Sequence, residues 1–162
     1  MKTRKISYMA LTTALCMVLS FVESQIPAFV AVPGVKVGLA NIAVIFALYR
    51  MGWKEAAAVS LIRVVLVSLL FGHVASLLYS SSGAVLSLAG MILLKRMDKL
   101  SCVSVSVLGG VLHNAGQILM AWVLMGENVV YYLPVLIVSG VIAGVAIGAV
   151  AALIVKRLDL KI

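Results

Sequence analysis

The side chains of this chain that could do chemistry are few, and most of them stand in apolar surroundings. Arg63 lies about eight residues into an apolar segment, roughly 12 Å along a helix rising 1.5 Å per residue. His113 sits at a similar depth in a later segment, with Asn114 beside it and Gln117 one turn on. His113 and Gln117 are spaced i, i+4 and share one helix face, with Gly110 near it. Asn41 falls one turn into another segment, and Lys36 precedes it. An ionisable group in hydrocarbon costs about 2.5–3.5 kcal/mol unless it meets partners or water. Lys36, Asn41, Arg63, His113, Asn114 and Gln117 therefore define a candidate pocket. Two cations and a protonatable imidazole would draw a carboxylate or a phosphate into it. The plainer reading makes Arg63 an internal strut, bonded to Asn114 or to helix carbonyls, and makes the amides interhelical fasteners. Glu23 reads as an interfacial charge or as part of an outer gate, and His73 as an interfacial residue.

Catalysis lacks its residues. No G-x-x-x-x-G-K-[ST] phosphate loop, G-x-S-x-G or H-E-x-x-H occurs. The two aspartates, Asp98 and Asp159, are isolated, so no paired carboxylates are available to hold magnesium for diphosphate chemistry. Cys16 and Cys102 form no C-x-x-C pair, and neither a disulfide nor a zinc site is implied. We expect no enzyme activity, no metal and no cofactor. If the chain moves a solute, the energy comes from a partner or a gradient.

The elements that must position these residues follow from composition. Of 162 residues, 64% are apolar and 11% charged, and the mean hydropathy is +1.23. Soluble domains run near 45–50% apolar and about 25% charged, and a domain of this size leaves much of its surface in water. A soluble enzyme and a disordered chain are both excluded, and the solvent is a bilayer. The sequence predicts an all-α, polytopic, six-helix transmembrane bundle in a single integral membrane domain over residues 1–162. Its spans fall at about 6–22, 37–49, 55–71, 75–94, 102–125 and 131–155. Eleven of the thirteen basic residues then fall on one side, leaving Lys36 opposite and Arg63 within a span. The positive-inside rule puts both termini in the cytoplasm. The net charge of +8 thereby orients helices, and no nucleic-acid partner is expected. No A-x-A-like cleavage site follows the first segment, so it reads as a mature helix, not a signal peptide.

The long first connection, about 23–36, is apolar yet broken by Pro27 and Pro33, and it reads as a lid over an outward-facing pocket or as an interfacial turn. Gly140, Gly144 and Gly148 form a smooth stripe for helix packing, and Ala10 and Ala14 form a similar pair on the first span. The Ser80-Ser81-Ser82-Gly83 run either lines a cavity or bonds back to its own helix.

Taken in order, PGVKVGLAN (33–41), GWKEA (52–56), LIRVVLVSLLFG (61–72), HNAGQ (113–117), YYLPVL (131–136) and SGVIAG (139–144) resemble the Gx transporter family, also labelled heptaprenyl diphosphate synthase component I. The resemblance covers roughly residues 5–157. That family is similar to the substrate-binding S components of energy-coupling-factor transporters. The resemblance implies six helices in a bacterial cytoplasmic membrane and an outward pocket for a small solute under the first connection. It also implies an A-x-x-x-A face, matched by Ala10 and Ala14, that docks on a transmembrane coupling subunit driven by two cytoplasmic ATPases. The other label implies a non-catalytic accessory of isoprenoid or quinone synthesis, since the aspartates of a prenyl synthase are missing. An ion-coupled transporter acting alone fits less well, because Glu23, Glu55 and Glu127 all stand at span ends.

Overall fold

The computed structural model describes residues 2–25, 38–71, 74–97 and 99–158, and among them every regular element is helical. In chain order these are α1 (Lys2–Gln25), α2 (Asn41–Arg50), α3 (Trp53–Phe71), α4 (Val74–Arg96), α5 (Cys102–Met125) and α6 (Leu133–Arg157), with a 3-10 helix (Glu127–Tyr132) before α6. Local chemistry sets several boundaries. Ser101 caps α5, its hydroxyl accepting from Ser104 N at 3.1 Å. Gly126 ends that helix at φ +87°, a conformation that disfavours side chains with a Cβ. Pro134 lies in the first turn of α6, where its missing N–H removes no helix bond.

Four stretches are long and apolar enough to cross a bilayer: Thr3–Gln25, Val74–Arg96, Cys102–Met125 and Glu127–Arg157. In each, less than a third of the most apolar window is buried inside the protein. Large side chains such as Leu11 (69% exposed) and Ile142 (66%) point outward, as they do when lipid covers them. α3 has comparable length but carries Lys54, Glu55 and Arg63, and α2 has only ten residues, about 15 Å. The six-span expectation thus meets six helices, of which four satisfy the length and apolarity of a span.

The shortest helix lies deepest. Ala43, Val44, Ile45, Ala47 and Leu48 of α2 are all at most 2% exposed, and they pack with Cys16, Ala56, Val59, Met91, Val105, Ile147 and Ala151. Ionic contacts gather one end of the molecule. Lys5 pairs with Glu55 at 2.6 Å, joining the starts of α1 and α3. Arg50 donates to Val155 O from Nε at 2.9 Å, joining the ends of α2 and α6. Lys95 donates to Leu48 O and lies 5.1 Å from the Tyr49 ring centre. Helices therefore alternate in direction, with one end basic. Cations at the last carbonyls of α2 and α6 also match the negative end of each helix dipole.

α5 lies between α4 and α6, and the approach is close enough to need glycine. A Cβ at Gly110 would sit 2.5 Å from Gly140 O, one at Gly144 2.5 Å from Val107 Cα, and one at Gly148 2.8 Å from Val103 Cα. On the opposite side, a Cβ at Gly83 would meet His113 O at 2.7 Å, and one at Gly116 would meet Ser82 O at 2.7 Å. Such contacts bring backbones together where lipid supplies no hydrophobic drive.

Candidate functional site

Polar side chains of three helices meet at the first turn of α2, at the end opposite the basic one. Gly38 takes φ +78°, and its carbonyl accepts from Asn41 N at 2.8 Å, closing the turn that opens α2. Its N–H donates to Glu23 Oε1, from the last turns of α1. Arg63, midway along α3, donates from Nη1 to Asn41 Oδ1 at 3.0 Å. Cys16 Sγ of α1 donates to Ala40 O at 3.6 Å beneath the same turn. Glu23 lies within electrostatic reach of Arg63 without pairing with it directly. Among the described residues, then, Arg63 holds α2 through Asn41, and its opposite charge holds α2 through Gly38.

A small cavity adjoins this turn between α2, α5 and α6. Gly38, Asn41, His113, Asn114, Gly140 and Ile147 are among its lining residues, and its volume is about 20 Å³. That admits a water molecule, which needs about 10–15 Å³ of such space. Asn41, His113 and Asn114 are thus brought to one cavity, while Arg63 reaches it only through Asn41. Lys36 and His73 lie outside the described residues, as does the first connection from 26 to 37.

Asn114 also has a structural engagement. Its Nδ2 donates to Leu136 O at 2.6 Å and lies 3.3 Å from Ser139 Oγ, fastening α5 to the start of α6. Gln117 faces α4 together with His113: a Cβ at Gly83 would lie 3.0 Å from Gln117 Cγ and 3.0 Å from His113 Cε1. Gln117 is buried, and its Oε1 has no hydrogen-bond partner among the described residues. A buried unpaired acceptor costs about 1–3 kcal/mol. Gln117→Met will therefore raise the thermal stability of the detergent-purified protein by about 1 kcal/mol. A fall in stability would show that the amide has a partner in the folded protein. In the serine run, Ser82 Oγ donates across to Gly116 O at 2.8 Å and Ser81 Oγ back to Leu78 O at 3.0 Å, so cross-helix and same-helix bonding both occur. Gly140, Gly144 and Gly148 face α5, whereas Ala10 and Ala14 stand exposed on α1 with Leu11, Leu15 and Val18.

The residue that sequence reasoning placed least well is Glu23. Fifteen positions separate it from Gly38, and no periodicity relates the end of one helix to a backbone N–H before the next. The available signal was Gly38 itself, three residues before Asn41, which marks a turn requiring positive φ. Cys16, fully buried under that turn, gave no sequence signal beyond its apolar surroundings. Among the described residues no group of three or more His, Cys, Asp or Glu is placed to hold a metal ion.

All-helical, with four bilayer-length apolar helices and a polar junction drawn inward, the chain has the features of a helical membrane protein. The family model described as heptaprenyl diphosphate synthase component I matches residues 12–154, and the chain belongs to that family. No curated protein and no solved structure matches it.

Proposed function

We propose that this chain is the membrane-embedded solute-binding subunit of an importer of the energy-coupling-factor kind. In this reading it crosses a bacterial cytoplasmic membrane six times, with both termini inside. It takes a small anionic or amphipathic solute and performs no catalysis of its own. A transmembrane coupling subunit and cytoplasmic ATPases supply the energy. The observation that supports it most is the junction of Arg63, Asn41 and Glu23 around the first turn of α2, beside a cavity that His113 and Asn114 share. A guanidinium held in the interior of an apolar bundle offers an acid group a partner that lipid cannot. Bound small molecules of ordinary size fill about 300–1,000 Å³, so the described conformation, with its water-sized cavity, is the closed one on this reading. α2 begins partway along the bundle, which leaves the solute's side of the molecule to the junction.

Native mass spectrometry of the detergent-extracted protein tests the reading. It will show a retained small molecule, and adding that molecule will raise the melting temperature. Arg63→Ala will abolish both effects while the protein still inserts and runs as a single species. If the variant binds as well as the parent, or if no solute is retained or stabilises the parent, the solute-binding reading fails.

The family description favours a second reading, a non-catalytic membrane component serving heptaprenyl diphosphate synthesis. Affinity purification separates the two. An ATPase-containing complex supports transport, and a prenyl synthase partner with no ATPase supports the accessory role.

A further inference from the structure

We propose that Glu23 and Arg63 form a partner-exchange switch on the first turn of α2: in the described conformation each charge holds that turn separately, and when the turn moves off the cavity the two pair with each other. The inference rests on the solute-binding reading, to whose closed state it gives a means of opening, but its test needs no solute.

Opposite charges withdrawn even partly from water gain by direct contact, because their attraction is less screened there than in bulk solvent, and Glu23 and Arg63 are both half-buried. Glu23 and Arg63 are near enough to interact electrostatically, yet neither bonds the other. Each instead bonds a neutral group of the same turn, Glu23 to Gly38 N and Arg63 to Asn41 Oδ1, three residues apart. This arrangement leaves a second satisfied state within reach. If residues 38–41 swing away, a guanidinium and a carboxylate remain, and they complete each other with charge-assisted bonds. Each charge keeps a hydrogen-bond partner in both states, so the exchange avoids the cost of leaving a desolvated charge without one. Two alternative satisfied packings of one element are the requirement for a two-state device.

The rest of α2 supports movement at this end alone. Its last turn is fixed by Arg50 to Val155 O and by Lys95 to Leu48 O. Its middle is packed on all sides, with Val44, Ile45, Ala47 and Leu48 at most 2% exposed. The first turn has the two exchangeable bonds, the weak thiol contact from Cys16 to Ala40 O, and a single small buried side chain, that of Ala40. Gly38, at positive φ, is where the chain changes direction before the turn.

Cys16 supplies the readout, since it is fully buried and lies beneath the moving turn. In a Cys102→Ser background the rate of Cys16 labelling by a membrane-permeant maleimide reports the open population. Asn41→Ala removes the bond of Arg63 to the turn and will speed labelling at least about tenfold, the worth of a hydrogen bond to a charged group. Asn41→Asp gives Arg63 a charged partner on the turn and will slow labelling several-fold, which partial unfolding cannot do. The decisive variant combines Asn41→Ala with Glu23→Gln. The amide that replaces the carboxylate can still accept from Gly38 N but cannot neutralise Arg63 in the open state. The exchange model therefore requires the double variant to label more slowly than Asn41→Ala alone. A passive clasp requires the reverse, because each change only loosens it. A double variant at least as fast as Asn41→Ala, an Asn41→Ala rate equal to the parent, or an Asn41→Asp rate no slower than the parent overturns the switch. Any of these leaves the solute-binding reading to its own mass-spectrometric test.

Discussion

Gly144→Val will cost the protein its native packing. A Cβ at this position would lie 2.5 Å from Val107 Cα and 3.1 Å from Ser106 O, both backbone atoms that no rotamer change can move aside. Overpacking against side chains costs about 1–3 kcal/mol. Against a neighbouring helix backbone the helices must separate, and we expect about 3 kcal/mol or more. Separation would also stretch the bonds of Asn114 Nδ2 to Leu136 O and to Ser139 Oγ, which tie the far end of this helix pair. Thermal unfolding in a fixed detergent measures the loss. Ala149→Val provides the control, since Ala149 lies on the exposed face of the same helix and should change stability by less than about 0.5 kcal/mol. Equal stability of the two variants would mean that α5 and α6 are not apposed as described.

Replacing Ala10 and Ala14 together by leucine will have a larger effect on assembly than on the isolated protein. Both alanines stand exposed on α1, so added methylenes meet lipid or detergent and leave the fold within about 0.5 kcal/mol of the parent. If a coupling subunit packs its own helix against this small-residue face, two leucines hold the backbones several ångströms apart and remove the contact that small residues permit. On the importer reading, pull-down from membranes will recover an ATPase-containing complex with the parent chain and not with the double variant. Recovery of the same partners by both chains would separate the alanine pair from docking and turn attention to the accessory reading.

The elements were legible wherever apolarity and punctuation coincide. Residues 102–125 were expected as one span and form α5 over the same residues, because Ser101 supplies a cap and Gly126 a stop. The first span was expected at 6–22, and α1 runs Lys2–Gln25. Hydropathy sees only the part that prefers lipid, whereas the helix continues through Arg4, Lys5 and Glu23. The sixth was expected at 131–155. Its first residues belong to the 3-10 helix Glu127–Tyr132, and α6 begins at Leu133, with Pro134 in the opening turn. The second was expected from 37 and begins at Asn41, because Gly38 turns the chain first.

The site was legible in kind more than in arrangement. Desolvation cost alone singles out Arg63 and Asn41, and they do bond. The same reasoning grouped His113 and Gln117 by their shared face, and both side chains stand against Gly83 of α4, where Gly83 and Gly116 let α4 close on that side of α5, while His113 also lines the cavity. Helical periodicity fixes which residues share a face, but it cannot assign that face a neighbour. The choice lies in small-residue contacts between distant segments, and in a glutamate that reaches a backbone N–H fifteen residues on.

Unequal helix lengths have a mechanical consequence. α6 has 25 residues and α3 has 19, about 37 Å and 28 Å of helix, and each belongs to the same packed group. The hydrocarbon slab is about 30 Å thick. α6 cannot stand upright within it, so it leans, or lifts Tyr131 and Tyr132 among the lipid headgroups. Thinner membranes would steepen that lean and shear α6 along its glycine seam with α5. Acyl-chain length thereby becomes a setting of the molecule's geometry, imposed by the membrane itself.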